Sequence, residues 1–175
     1  MCGIVGYVGS SDACSFLIDG LRRLEYRGYD SSGVAIQAED RFDVTRSVGR
    51  IDSLAGQLEK TPARGCLGIG HTSWATHGPA TEANAHPHFG GDGEIVLVHN
   101  GVIENFQVLK SELIKKGYRF HSDTDSEVVA HLIAESLKHT PEVADQPNLR
   151  FLNAVQAAVR QLRGTYRSEE HTSEL

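Results

Sequence analysis

Apolar and polar positions in the first half of the chain predict strands separated by two helices. The run Gly3 to Val8 contains β-branched residues and is typical of a buried strand. Apolar residues then recur at helical spacing as far as Leu24, and Asp12 is a suitable N-cap for that helix. The polar, glycine-containing residues 26–33 predict a loop. Further strands are predicted at 34–37, 42–47 and 67–71, and a short helix at 51–58.

The second half combines one strongly apolar strand with three helical patterns. Residues 94–99 predict the strand, and Asn100-Gly101 directly after it predicts a turn. Helices are predicted near 108–114, 128–137 and 151–162. Gly117 closes the first of them, and Asp125 or Ser126 caps the second. A short strand is predicted at 118–120, and the aperiodic stretch 72–93 predicts a long loop that is either functional or disordered.

This order of elements favours an α+β layered fold over a doubly wound parallel sheet, because neighbouring strands have short, antiparallel-like connections. The length of 175 residues suits one domain. The motifs GxGxxG and GxxxxGK[ST] are absent from the sequence, which removes the usual nucleotide-binding signatures.

Composition narrows the functional classes. A net charge of −6 argues against nucleic acid and anionic membranes as partners, since both select basic surfaces. No apolar run approaches the roughly 18 residues of a membrane helix, and the N-terminus does not resemble a signal peptide. Three cysteines at irregular spacing do not form a disulfide framework and indicate a reducing, cytoplasmic location.

Cys2 is the first candidate for chemistry. We expect Met1 to be removed because residue 2 is small, which makes Cys2 the N-terminal residue. Its α-amine, with a reference pKa of roughly 7.7–8.0, could then take the thiol proton without a separate base. Early in a chain, however, a cysteine is commonly just a small buried residue. Cys14 and Cys66 are interpreted as packing residues.

Two polar motifs could assist such a nucleophile. The Asn100 amide and the Gly101 N–H could form an oxyanion hole, although Asn-Gly after a strand is usually only a turn. The acidic stretch 122–127 could hold a ligand ammonium group, or it could cap a helix and interact with its dipole.

The histidines between positions 71 and 88, together with His99, raise a metal site as an alternative. Their spacing fits no zinc template and includes no cysteine at a ligand-like distance. We therefore expect hydrogen-bonded loop histidines, no metal and no cofactor.

The sequence motifs that contain these candidate residues match one protein family. The motifs MCGIVGYVG, LRRLEYRGYDSSGVA, GHTSWATHG, NAHPH, VHNGVIENF and SDTDSE occur in its order. The chain resembles the glutaminase domain of glutamine–fructose-6-phosphate aminotransferase, a class II glutamine amidotransferase, over residues 1–166. The resemblance implies an αββα four-layer sandwich of the N-terminal-nucleophile hydrolase type, with two antiparallel sheets between helix layers.

The resemblance also implies roles and partners. Cys2 would attack the side-chain amide of L-glutamine, and Asn100 with Gly101 would bind the oxyanion. The substrate pocket would contain the residues Arg27, Trp74, Thr76, His77 and Asp125, the last holding the α-ammonium group. In the family, ammonia passes to an isomerase domain of the same chain that acts on fructose 6-phosphate. The full-length family is homodimeric, whereas a fragment alone could be a monomer.

Two departures from the family pattern stand out. Ser73 occupies the place of the arginine expected to bind the glutamine α-carboxylate. Residues 167–175 (RSEEHTSEL) are polar, so we expect them to lie outside the family domain, to be disordered and to supply no buried strand. The isomerase domains are expected to be missing.

Three alternatives remain open at this point. Ser73 and the polar tail make the first a catalytically weakened or inactive glutamine-binding fragment. The second is a related amidotransferase with another acceptor, and the third is a metal hydrolase.

Overall fold

The computed structural model describes residues 2–74, 79–142 and 146–172, with the backbone alone for residues 147 and 167–172. The strands are β1 (Gly3–Val8), β2 (Ser31–Ala38), β3 (Arg41–Val48), β4 (Leu67–Ser73), β5 (His88–Gly90), β6 (Ile95–Ile103) and β7 (Gly164–Thr172). The helices are α1 (Ala13–Leu24), α2 (Ile51–Lys60), α3 (Phe106–Lys115), α4 (Asp125–His139) and α5 (Pro147–Val159). A 3₁₀ turn at Glu25–Arg27 follows α1.

The strands form two antiparallel sheets. The first has the order β1-β4-β2-β3, and the second has the order β5-β6-β7. Gly3 is paired with Thr72 between β1 and β4, and Ser31 is paired with Ser73 between β2 and β4. The N-terminus of β1 therefore lies beside the C-terminal end of β4, where the polar residues of GHTSW are located.

Three apolar clusters define the layers. Leu17 and Leu21 of α1 pack with α2 and with Val34 and Ile36 on the outer face of the first sheet. The sheets meet through a second cluster, which includes Ile69. The third cluster packs β6 against helices α3, α4 and α5. Helix, sheet, sheet and helix layers follow one another, which confirms the predicted αββα sandwich.

Successive side chains of strand β6 belong to two different apolar clusters. Ile95 and Leu97 belong to the cluster on the helix side, whereas Val96 and Val98 belong to the cluster between the sheets. Successive side chains of a strand point to opposite faces, so a strand buried on both sides is apolar throughout. The same alternation turns Asn100 towards the first sheet.

The predicted turn at Gly101 is wrong, because β6 continues through Asn100 and Gly101 to Ile103 and pairs with β7. Gly101 has φ +142°, and a Cβ there would collide with the carbonyl oxygen of Thr165. Close approach of β7 therefore explains this glycine better than a turn does.

Other boundaries also differ from the prediction. The loop predicted at 26–33 is shorter, because Ser31–Gly33 pair with β3 and β4. Residues 118–120 are not a strand. The cap of α4 is Thr124, whose side chain accepts the Glu127 N–H, rather than Asp125 or Ser126. Asp12 caps α1 as predicted, accepting the Ser15 N–H.

The polar C-terminal segment was expected to be disordered, and this is wrong for residues 167–172. They continue β7, which pairs with β6 from Ile103↔Gly164 to Ile95↔Thr172. β7 is the last strand in the order of its sheet. An edge strand is held by backbone hydrogen bonds to one neighbour, so polarity does not exclude a segment from that position. Residues 173–175 lie outside the described part of the chain.

Among the described helices, none combines the length and the apolar character needed to cross a membrane.

Candidate functional site

A cavity of about 760 Å³ opens where the two sheets separate, at the ends of β1, β4 and β6. Strand alternation brings its polar side chains together. Ile4, Ile69 and Val98 face the space between the sheets. Because side chains two residues apart share a face, Cys2, Ser73 and Asn100 are directed into the same space. All three line the cavity.

Cys2 lies directly before β1 and is half-buried. Its Sγ accepts the backbone N–H of Trp74 at 3.4 Å, and it lies 3.8 Å from the Trp74 carbonyl oxygen. The neighbouring Gly3 N–H donates to Thr72 Oγ1 at 3.2 Å. The end of β4 therefore holds the thiol in place, and the Trp74 N–H could stabilise a thiolate.

Asn100 faces Cys2 from the second sheet. Its Oδ1 lies 2.6 Å from Nε2 of His71 on β4. Gly101 follows in β6 and also lines the cavity. The two candidate oxyanion donors are therefore adjacent on one strand and border the same space as the thiol.

Asp125 is the first residue of α4 and is 3% exposed. Its Oδ2 accepts the Ile103 N–H at 2.8 Å, and the Ser126 hydroxyl lies 3.5 Å from its Oδ1. Within residues 2–74, 79–142 and 146–172, no lysine, arginine or histidine forms an ion pair with it. A buried carboxylate is costly without a cationic partner, so this cavity wall is suited to a ligand ammonium group.

Of the other predicted site residues, two line the cavity, one lies beside it and two are not described by the structure. Arg27 and Ser73 line the cavity, Arg27 from the end of the 3₁₀ turn. Trp74 is half-exposed beside it, with its ring edge-on to Tyr29 at 5.5 Å. Thr76 and His77 lie outside the described residues.

The clustered histidines are buried and hydrogen-bonded. His86 Nε2 lies 2.8 Å from Ser126 Oγ, His99 Nδ1 lies 3.1 Å from the same oxygen, and His88 Nε2 lies 3.2 Å from Thr124 Oγ1. The hydrogen bonds are as expected, and His71 and His99 lie on the strands predicted at 67–71 and 94–99. The predicted loop location is wrong for His88, which lies on β5. In the described ranges no group of three or more His, Cys, Asp or Glu residues could hold a metal ion.

Burial controls the charge of these histidines. Desolvation lowers the pKa of His71 to about 4, against the opposing effect of its hydrogen bond to Asn100. Desolvation, with the nearby Arg46 guanidinium, lowers the pKa of His88 to about 3. The pKa of His86 is also lowered, by burial and by the neighbouring histidines. All three rings are therefore neutral at pH 7.

Sequence reasoning missed two residues beside the site, His71 and Ser126. His71 was predicted at the end of the strand 67–71 but was given no role beyond that of one of several hydrogen-bonded histidines, and Ser126 was named only as a possible cap within the stretch 122–127. The two-residue period of β4 was a usable signal, because His71 shares the face of Leu67 and Ile69. The position of Ser126 under the cavity depends on packing between α4 and β6, which periodicity does not reveal.

Comparison with known proteins agrees with this geometry. The family described as "Glutamine amidotransferase domain" matches residues 71–167. Glutamine–fructose-6-phosphate aminotransferase [isomerizing] of Thermus thermophilus is 49% identical over 166 residues, which cover 95% of this chain and 26% of the relative. The Thermococcus kodakarensis protein of the same name is 51% identical with the same coverage. The chain thus spans about a quarter of the length of these curated relatives.

A solved structure shares the fold. Glutamine phosphoribosylpyrophosphate amidotransferase from B. subtilis, complexed with ADP and GMP, superposes with a TM-score of 0.79 at 24% identity. The match covers 99% of this chain and 35% of that chain. The sandwich fold predicted from the sequence is therefore found in a solved amidotransferase. Since the family match extends over more than half of the 175 residues, the chain belongs to the glutamine amidotransferase domain family.

Proposed function

We propose that Cys2, as the N-terminal residue, is the nucleophile of the glutamine hydrolysis that is characteristic of this family. One observation carries the assignment: Cys2, Asn100-Gly101 and Asp125 come from three distant parts of the sequence and border one cavity. The family match supports a hydrolysing domain over the alternative of an inactive glutamine-binding fragment.

The first half of the reaction forms a thioester. The α-amine of Cys2 takes the thiol proton, and the thiolate attacks the side-chain amide carbon of L-glutamine. The Asn100 amide and the Gly101 N–H donate to the developing oxyanion. The carbon–nitrogen bond breaks, the proton passes from the α-ammonium to the leaving nitrogen, and ammonia departs.

The second half consumes water. The α-amine takes a proton from a water molecule, which attacks the thioester carbon. The carbon–sulfur bond breaks, glutamate forms, and the proton held by the amine restores the thiol. Asp125 holds the α-ammonium group of the substrate during both halves. We propose Arg27, Ser73, Trp74, Thr76 and His77 as the other substrate-binding residues, the last two from the resemblance to the family alone. The reaction needs no cofactor and no metal.

The acceptor of the ammonia is proposed from the names of the relatives. We propose an isomerase domain of the same full-length chain, acting on fructose 6-phosphate, in a cytoplasmic enzyme. A homodimer is proposed for the full-length form, with no nucleic acid or membrane partner.

Glutamate and ammonia release from L-glutamine tests the nucleophile. Cys2→Ala is expected to reduce turnover more than about 10³-fold, because no other group replaces the thiolate. Cys66→Ala is the matched control: Cys66 is exposed, lies outside the cavity and should leave turnover within about twofold.

Mass spectrometry of the same preparation reports whether Met1 has been removed. Protein that lacks Met1, is folded and releases no glutamate would overturn the proposal. Equal turnover by the Cys2→Ala variant would do so as well. Protein that retains Met1 and still turns over would exclude the α-amine as the base.

A further inference from the structure

The strongest unassigned feature beside the cavity is the contact between His71 and Asn100. His71 is 1% exposed, and its Nε2 lies 2.6 Å from the Asn100 amide oxygen. That oxygen can only accept hydrogen bonds, so Nε2 carries the proton and donates. Because the ring is neutral at pH 7, this is its single N–H.

The consequence for Asn100 is a defined amide orientation. With Oδ1 occupied by His71, the Nδ2 group is left for the cavity that Asn100 lines. Elsewhere in the described residues, no second hydrogen bond to the Asn100 side chain is formed. A rotation of the amide by 180° would require the other neutral tautomer of His71, with Nε2 as the acceptor and the proton on Nδ1. Nδ1 is buried and has no hydrogen-bond partner among the described residues, so its N–H would be an unsatisfied buried donor.

The His71 ring is itself fixed by its neighbours. It stacks on His86 with ring centroids 4.0 Å apart and an interplanar angle of 30°. His86 in turn bonds Ser126, the residue after Asp125 on α4. His71, His86 and Ser126 therefore form one buried chain of contacts. It connects Asn100, the proposed oxyanion donor, with the start of α4, where Asp125 lies.

We propose that His71 is a positioning residue, which holds the Asn100 amide with its N–H groups directed at the oxyanion of the reaction. The inference rests on the proposed function, since it assigns Asn100 a donor role. His71 itself contacts no substrate. Its contribution is made through Asn100, so its loss should affect the transition state more than the binding of glutamine.

Two variants separate this role from simple core packing. Gln places an amide nitrogen the same number of bonds from Cβ as His Nε2, so His71→Gln should keep the donor and keep kcat within about threefold. His71→Leu removes it and should lower kcat roughly 10- to 100-fold, part of the 10²–10³ attributed to an oxyanion donor. KM for glutamine should change by less than about threefold in both.

His88→Leu is the matched control. His88 is equally buried but lies on the helix-facing side of the second sheet, where it pairs with Leu97 and bonds Thr124, and no hydrogen bond joins it to Asn100 or Asp125 among the described residues. Its substitution should lower the unfolding midpoint while kcat stays within about threefold. Packing alone would make the His71→Leu and His88→Leu variants behave alike.

A double-mutant cycle with Asn100→Ala makes the test independent of stability. If His71 acts through Asn100, His71→Leu should lower kcat no further in the Asn100→Ala background. Unchanged kcat in folded His71→Leu, or the same fold loss with and without Asn100, would overturn the inference. Should the wild-type protein release no glutamate at all, the proposed function fails instead, which is a distinguishable result.

Discussion

At the residue scale, Ser73 is the departure with the clearest chemical consequence. It lies at the end of β4 on the cavity wall, and its carbonyl oxygen accepts the Asp30 N–H at 3.0 Å. The backbone is therefore anchored, while the side chain offers a single neutral hydroxyl. A guanidinium at this position could bind a carboxylate through two parallel hydrogen bonds. The present cavity should bind the α-carboxylate of glutamine less tightly.

Introducing an arginine at position 73 should improve the binding of glutamine more than its turnover. A charged hydrogen bond contributes roughly 1.5–3 kcal/mol, so Ser73→Arg should lower KM for glutamine by roughly 10- to 150-fold with a small change in kcat. Steady-state kinetics with Ser73→Gln as the uncharged control measures this. An unchanged kcat/KM for the arginine variant would show that Ser73 does not limit binding.

At the scale of elements, close backbone contact between β5 and α4 sets the distance between the second sheet and its helices. A Cβ on Gly90 of β5 would collide with the carbonyl oxygen of Ala130 in α4. It would also lie 3.0 Å from the backbone nitrogen of His131. His131 strengthens this contact, because its Nδ1 accepts the Gly91 N–H at 3.1 Å. A glycine at position 90 therefore allows α4, with Asp125 at its start, to approach the sheet.

Gly90→Ala should consequently destabilise the protein by about 1–3 kcal/mol, the usual cost of forcing extra volume into a packed core. Gly56→Ala is the control variant, for which the opposite change in stability is expected. Gly56 lies inside α2, a Cβ there meets nothing within 4 Å, and alanine should stabilise by about 0.5–1 kcal/mol. Urea denaturation measures both changes. Equal stabilities of the two variants would contradict the close approach.

At the scale of the whole molecule, the sandwich encloses neutral histidines between its sheets and beneath α4. In the unfolded chain a histidine has a pKa near 6.5. In the folded protein burial lowers this to about 4 for His71 and about 3 for His88, and lowers it for His86 as well. As pH falls below 6.5, the unfolded chain binds protons that the folded protein does not, so the free energy of unfolding decreases.

Glu127 acts in the same direction at lower pH. Burial raises its pKa, but the His131 ring 3.8 Å away and hydrogen bonds from the Ser122 hydroxyl and two backbone N–H groups outweigh this and lower it to about 2. Its contribution is present above the unfolded carboxyl pKa and is lost as pH falls towards 2.

Acidification should therefore destabilise the protein at pH values above those at which its carboxylates are protonated. From pH 7 to pH 5.5, His71 and His88 should each remove about 1 kcal/mol from the free energy of unfolding, and His86 should add to the loss. Urea denaturation at several pH values measures the slope. His88→Leu should reduce the slope, because one of these rings is removed from the folded protein. A free energy of unfolding that is flat over this interval would show that the three rings are not buried as neutral groups.

The sequence by itself determined most of the local elements and identified the candidate residues for the chemistry. Alternation and helical spacing identified most strands and helices, because each such element buries one face with its own period. Taken singly, Cys2, Asn100-Gly101 and the acidic stretch 122–127 each had a structural interpretation as well, and it was the resemblance of the ordered motifs to one family that predicted an N-terminal nucleophile and its partners.

Only the tertiary structure decided how these parts meet. β6 extends through Asn100-Gly101, and the polar segment 167–172 forms β7, because each strand satisfies the backbone hydrogen bonds of the other. The turn at Gly101 and the disorder of residues 167–172, both expected from local preference, were wrong for the same reason. The hydrogen bond between His71 and Asn100 joins the two sheets across 29 residues of sequence, and such a contact depends on how the layers pack.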